Sequence, residues 1–177
     1  MYIILGLFVV IVLAALLLNQ NTGNPVISDE IMGDAIPIDS AEHVDPGSDP
    51  GPYASNPPAG GKHYAEDWEA GFYEETAQET KLHYPQGYLV HNLEHGYVIF
   101  WYNCAVSNDC NALKQQIRTV MSEFSNVKLI AFPWSDMDYP LAMASWGRLL
   151  RFDAPSLDIM RAFVRNNRNK APEPNMP

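Results

Sequence analysis

Cysteine is nearly missing from this sequence: 177 residues hold only Cys104 and Cys110. Two thiols cannot by themselves build a structural zinc site, and five intervening residues do not make the C-x-x-C redox pair. Cys104 falls at the end of a predicted strand and Cys110 at the start of a predicted helix. The pair therefore reads as a small loop-closing disulfide of an oxidising compartment. Positive charge is as scarce in the first half. Residues 1–80 carry thirteen acidic side chains and one basic, and the formal charge of the whole chain is −10. A nucleic-acid binder needs a basic stripe to displace phosphate counterions, and none is present. That class is excluded.

Charge of either sign is also missing from residues 2–18, an uninterrupted apolar run. As a helix it would span about 25 Å, enough for a thin or locally thinned bilayer. A secretory signal would show a basic n-region and a small-x-small cleavage site, and neither is visible. Residues 1–18 are read as an uncleaved transmembrane anchor, with the acidic body that follows on the extracytoplasmic side of the cell membrane. Asn19 to Pro52 has no sustained periodicity. It contains five prolines and seven acids and not one Lys or Arg. Such composition buries too little apolar surface to offset the entropy of ordering, so 19–52 is expected to be an extended linker. Only Ile36-Pro37-Ile38 is a candidate to lie against the domain, and His43 reads as solvated.

Residues 53–170 have the size and aromatic content of one folded domain. Tyr97–Tyr102, rich in β-branched and aromatic residues, predicts a buried central strand. Leu113, Ile117, Val120, Met121 and Phe124 recur at helical spacing after the capping group Ser107-Asn108-Asp109. Val127–Phe132 and Leu141–Trp146 read as strands, with Gly147-Arg148 as the exit of the second. Asp153-Ala-Pro-Ser156 opens a last helix carrying Leu157, Met160, Phe163 and Val164. The expected fold is α/β: a two-layer sandwich with a β-α-β-β-α core, arranged like the second half of a thioredoxin-type domain. Residues 171–177 are expected to be a disordered tail, and His83 is given no role.

Two stretches carry chemistry. In Tyr53–Tyr64 the stiff Asn56-Pro57-Pro58 arm and the Gly60-Gly61 bend present His63. In His91-Asn-Leu-Glu94-His95-Gly96 two imidazoles and a carboxylate sit at the mouth of the central strand. On a helical turn, positions four apart share a face, so His91 and His95 could reach one ion. H-x-x-E-H is also the signature of inverted zinc peptidases, which would make Glu94 a general base. That reading needs a long surrounding helix, whereas Gly96 and a strand follow at once and leave at most one turn. The preferred reading is a transition-metal site of His63, His91 and His95, with a thioether from Met137 and Met143 as a lesser candidate. Glu94 would orient an imidazole from outside or act as a ligand itself. Imidazole with thioether in an external compartment suits copper; imidazoles alone would also suit zinc. The alternative is an envelope interaction module whose histidines only lock the loops.

These residues carry a resemblance. Asn56-Pro57-Pro58-x-x-Gly61-x-His63-Tyr64, the hexamer His91–Gly96, and Met137-Asp-x-Pro140 with Ala142-x-x-x-Trp146-Gly147-Arg148 resemble a bacterial family. Its members are membrane-anchored extracytoplasmic proteins known only as a domain of unknown function. The similarity covers roughly Tyr53 to Phe163, departing from the family pattern at Gly60 and Lys62 and in a longer segment before the hexamer. It implies an anchored envelope protein, points to His63, His91, Glu94 and His95, and brings no established activity. Metal handling, or electron-transfer support for a membrane complex, is the role expected if the histidines hold a metal.

Overall fold

The computed structural model describes residues 30–177, so the expected anchor at 1–18 lies outside the described residues. Among the described residues, no helix is long and apolar enough to cross a membrane. The described residues form a mixed α/β fold with one six-stranded sheet and three α-helices. The strands are β1 (Asp34–Ala35), β2 (Gly71–Phe72), β3 (Val98–Tyr102), β4 (Leu129–Pro133), β5 (Leu141–Ser145) and β6 (Arg148–Phe152). The helices are α1 (Gln86–Glu94), α2 (Cys110–Glu123) and α3 (Leu157–Asn167). Spatial order across the sheet is β1, β6, β5, β3, β4, β2.

β3 is central and all five of its residues are buried. It pairs in parallel with β4 through the α2 crossover and antiparallel with β5, with Ile99 opposite Ala144. The strand period of two sorts its side chains to opposite faces. Val98, Phe100 and Tyr102 pack with Leu129, Ala131 and Met143 under α2 and α3. Ile99 and Trp101 pack with Ile130, Phe132, Ala142 and Leu149 on the other face, against Leu89 and Leu93 of α1. The apolar stripe predicted for α2 is the buried one: Leu113, Ile117, Val120 and Met121. Its N-cap is Asp109, whose carboxylate accepts from Ala112 N at 3.0 Å.

Three expectations change. The sheet is covered on both faces, so the fold is not a two-layer sandwich. The exit expected at Gly147 is a tight turn (φ +69°) into a further strand, β6, which pairs back onto β5. β6 is hard to see in sequence because Arg148 and Arg151 interrupt its apolar residues. The third change concerns the chain ends. From Asp34 on, the acidic stretch is laid onto the domain: β1 pairs with β6, and Ile36 N donates to Gly147 O at 2.9 Å. Just before it, Asn167 clamps Met32, accepting from its N–H at 2.9 Å and donating to its carbonyl at 2.8 Å. At the other end residues 171–177 form a strap rather than a loose tail. Glu173 N donates to Glu94 O at 3.0 Å, and the Lys128 ammonium donates to the carbonyls of Pro174 and Met176.

α1 is the element on which the site depends. It reaches back to Gln86, so the hexamer sits at the end of a nine-residue helix rather than on a single turn. One side faces the sheet and the other is roofed by residues 57–68. Tyr64 N donates to Gly87 O at 3.1 Å, and the Asn92 amide holds both backbone groups of Trp68. Residues Leu89 to Glu94 are consequently all buried, polar ones included.

Candidate metal centre

Burying a polar side chain costs free energy unless it finds partners, and α1 buries His91 and Glu94 under a roof that itself carries His63. His63 is fully buried, and its ring centroid lies 5.1 Å from that of His91. The roof is tied down by a second strand segment. Residues 43 and 63 form an isolated parallel bridge, with Val44 N donating to His63 O at 2.8 Å and His63 N to Glu42 O at 3.2 Å. This bridge sets the His43 ring 4.8 Å from His63 and 5.2 Å from His91. His43, Glu94, His63 and His91 can each turn one ligand atom to within 4.8 Å of the other three. Of the four, only His43 is exposed, so the cluster opens to solvent on that side.

The hydrogen bonds show which atoms are available. His63 Nδ1 lies 2.8 Å from Gly61 O, and Nε2 lies 2.9 Å from Glu94 Oε2. A carbonyl can only accept, so Nδ1 carries the proton, and in a neutral ring Nε2 then turns a lone pair toward a carboxylate. Two acceptors at that distance repel unless a proton or a metal ion sits between them. Two ligands each about 2.0 Å from one ion stand roughly 2.8 Å apart at a right angle and roughly 3.3 Å apart in a tetrahedron. The observed 2.9 Å lies between these separations, and the 3.8 Å from His43 Nε2 to Glu94 Oε2 lies above both. An imidazole that donates its far N–H to a backbone carbonyl is also the usual way a ligating histidine is oriented.

His91 supplies a second indication. Its Nδ1 is buried with no hydrogen-bond partner, although most buried polar side-chain atoms have one. Burial, then the neighbouring rings of His95, His63 and His43, push its pKa down to about 4. A neutral imidazole with a free lone pair is the form that binds metals.

His95 does not join the cluster. Its ring contacts that of His91 at 4.3 Å between centroids but meets carboxylates outside the cluster: Nδ1 is 3.6 Å from Asp67 Oδ2 and Nε2 3.6 Å from Glu173 Oε2. The reason is that α1 stops at Glu94, and His95 is the C-cap residue with φ −80° and ψ 3°. H-x-x-E-H therefore does not aim both imidazoles at one point, and its carboxylate is spent on His63. Met137 is not brought together with the histidines either. Asn103 Nδ2 donates to its carbonyl at 2.7 Å, so it lies where β3 ends and β5 begins, whereas the His63 ring packs 6.0 Å from Trp146 beyond the other end of β5. The intervening strand spans on the order of 13 Å. Met143 points to the opposite face of the sheet, under α2 and α3. His43, read as solvated, is the residue sequence reasoning missed; it lies in a stretch without periodicity, and only its pairing with residue 63 brings it in.

Cys104 and Cys110 stand at disulfide-bonding distance, with Cα atoms 5.0 Å apart. Comparison with known proteins adds one finding: the family described as protein of unknown function (DUF3105) matches residues 43–177. The chain belongs to that family. No curated protein and no solved structure matches it. The DUF3105 match opens at His43 and takes in all four residues of the centre, together with the C-terminal strap.

Proposed function

We propose that this DUF3105 protein binds a transition-metal ion through His43, His63 and His91 with Glu94, as a membrane-anchored domain on the extracytoplasmic side. Its role on this reading is metal handling or support of a membrane redox complex. Residues 1–18 would supply the anchor. The observation that carries the reading is the convergence of three imidazoles and a carboxylate, one nitrogen of which is buried without a partner. Three nitrogens and one oxygen suit copper(II) and zinc alike. Copper is the expectation from sequence on the strength of a thioether from Met137; with Met137 outside the centre, the open set of three imidazoles and a carboxylate suits either ion. The thioredoxin-type arrangement expected from sequence is compatible with β3-α2-β4 followed by the β5–β6 hairpin and α3, with α1 and the N-terminal segment as additions.

The deciding experiment is metal analysis of the purified protein after loading with copper or zinc and desalting, in the parent and in His43→Ala, His63→Ala and His91→Ala. One ion per chain in the parent and loss in each variant is expected. Stoichiometric metal retained in all three would overturn the ligand set. If no metal binds at all and each variant only lowers the melting temperature, the histidines are structural and the protein is an interaction module.

A further inference from the structure

Cys104 stands two residues past the end of the central strand β3, and Cys110 is the first residue of the fourteen-residue α2. Both are half-buried, at the strand-to-helix junction of the parallel unit. Glu75 places Oε1 2.9 Å from Cys104 Sγ. The two sulfurs are bonded to each other here, so this contact is no hydrogen bond as it stands; on reduction it leaves a carboxylate placed to accept the Cys104 S–H. Lys114, one turn after Cys110 on the same helix, donates to Glu75 and, at 2.8 Å, to Glu74. Asp109, next to Cys110, accepts from Ala112 N and keeps its charge, which opposes the effect of Lys114. An ammonium one turn away and the start of a helix both favour a thiolate at Cys110 over one at Cys104, which faces Glu75. Beside the loop joining the cysteines lies a cleft of about 210 Å³, lined among others by Val106, Leu113, Pro140 and Pro155. It has room for side chains flanking an incoming sulfur.

We propose that Cys104 and Cys110 are a thiol–disulfide exchange site acting on cysteine pairs of partner proteins, with Cys110 the sulfur that joins the partner and Glu75 the group that handles the Cys104 proton. Starting from the disulfide, a partner thiolate attacks Cys110 Sγ. The Cys104–Cys110 bond breaks, and Cys104 leaves as a thiolate that takes a proton from solvent and then donates its S–H to the Glu75 carboxylate. The partner's second thiol loses its proton to solvent and attacks the partner sulfur of the mixed disulfide, and Cys110 leaves as a thiolate beside Lys114. Two electrons pass from the partner dithiol, now a disulfide, to the Cys104–Cys110 pair, now reduced. The same steps reversed reduce a partner disulfide.

The test uses the full chain in detergent, with dithiothreitol and glutathione as probes. Reduction by dithiothreitol should expose both sulfurs to alkylation while the near-ultraviolet circular dichroism stays native. Alkylation that appears only as that signal collapses would show a structural staple and overturn the proposal. Cys104→Ala should form a mixed disulfide with oxidised glutathione at least about tenfold faster than Cys110→Ala does. Equal rates would overturn the assignment of Cys110. Glu75→Gln, reduced and then exposed to oxidised glutathione, should accumulate the Cys110–glutathione species, and Glu75→Asp should clear it. No accumulation would remove Glu75 from the step.

Discussion

His63 Nε2 stands 2.9 Å from Glu94 Oε2, while Nδ1 of the same ring is committed to the carbonyl of Gly61. The ring is thereby locked at both ends, by a backbone group on one side and by an anion on the other. Any cation that enters meets a ring nitrogen and a carboxylate oxygen already turned toward one another.

Glu94→Gln keeps the shape and removes the charge. Ion affinity should fall about 10- to 100-fold, read by isothermal titration with copper and zinc. An unchanged affinity would mean that the carboxylate only fastens the His63 ring.

Metal should also stabilise the fold, because the four donors meet only when residue 43 is docked on residue 63. Free ion at a hundred times its dissociation constant adds about 2.7 kcal/mol. Scanning calorimetry should show the melting temperature rise by several degrees on loading and return on chelation. His91→Ala should abolish the increment.

Gly87→Ala sets two effects against each other. Alanine gains up to about 1 kcal/mol of helix propensity over glycine. A Cβ there would lie 2.4 Å from the ring of Tyr64, which is fully buried and follows His63. Overpacking of that kind costs about 1–3 kcal/mol, so the clash wins and denaturant unfolding should show a net loss. The displaced roof should weaken metal binding as well.

Lys128→Met removes the ammonium that donates to the carbonyls of His95, Pro174 and Met176. Amide exchange in residues 171–177 should accelerate while that in β3 and β4 is unchanged. Equal protection before and after would show that the strap holds by other contacts.

Acid should loosen the β2–α2 junction. The Lys114 ammonium, bonded to Glu74, holds that carboxyl below its usual range, with Arg118 adding to the effect. A depressed carboxylate contributes stability above its unfolded value of 4.5, and that contribution is lost as pH falls through the lower folded value. Glu74→Gln should therefore flatten the fall in stability below pH 4.5, by a small amount for so exposed a pair.

Much of the core was legible because its periodicity is strong: β3 is a continuous apolar run, and Leu113, Ile117, Val120 and Met121 repeat with the helix. β6 was not, since two arginines break its apolar pattern, and α1 was not, since it is buried on every side and has no polar face to betray it. For the site, His63, His91 and Glu94 stood out by local chemistry. His43 and the turning away of His95 depend on contacts far apart in sequence: a bridge to residue 63, and the place where α1 ends. No local pattern encodes either. The strap at 171–177 escaped for a similar reason, its partners being one lysine and a helix end rather than an apolar face.

The bridge between residues 43 and 63 has a mechanical consequence. His43 hangs on two backbone hydrogen bonds, and the chain upstream of it is fastened by the two-residue β1 and the clamp on Met32. On the proposed reading, tension transmitted from an anchor would load these fasteners in turn and would take the His43 imidazole away from the cluster when the bridge to residue 63 parts. An ion held this way would be released by pulling, with no change of acidity or redox state required.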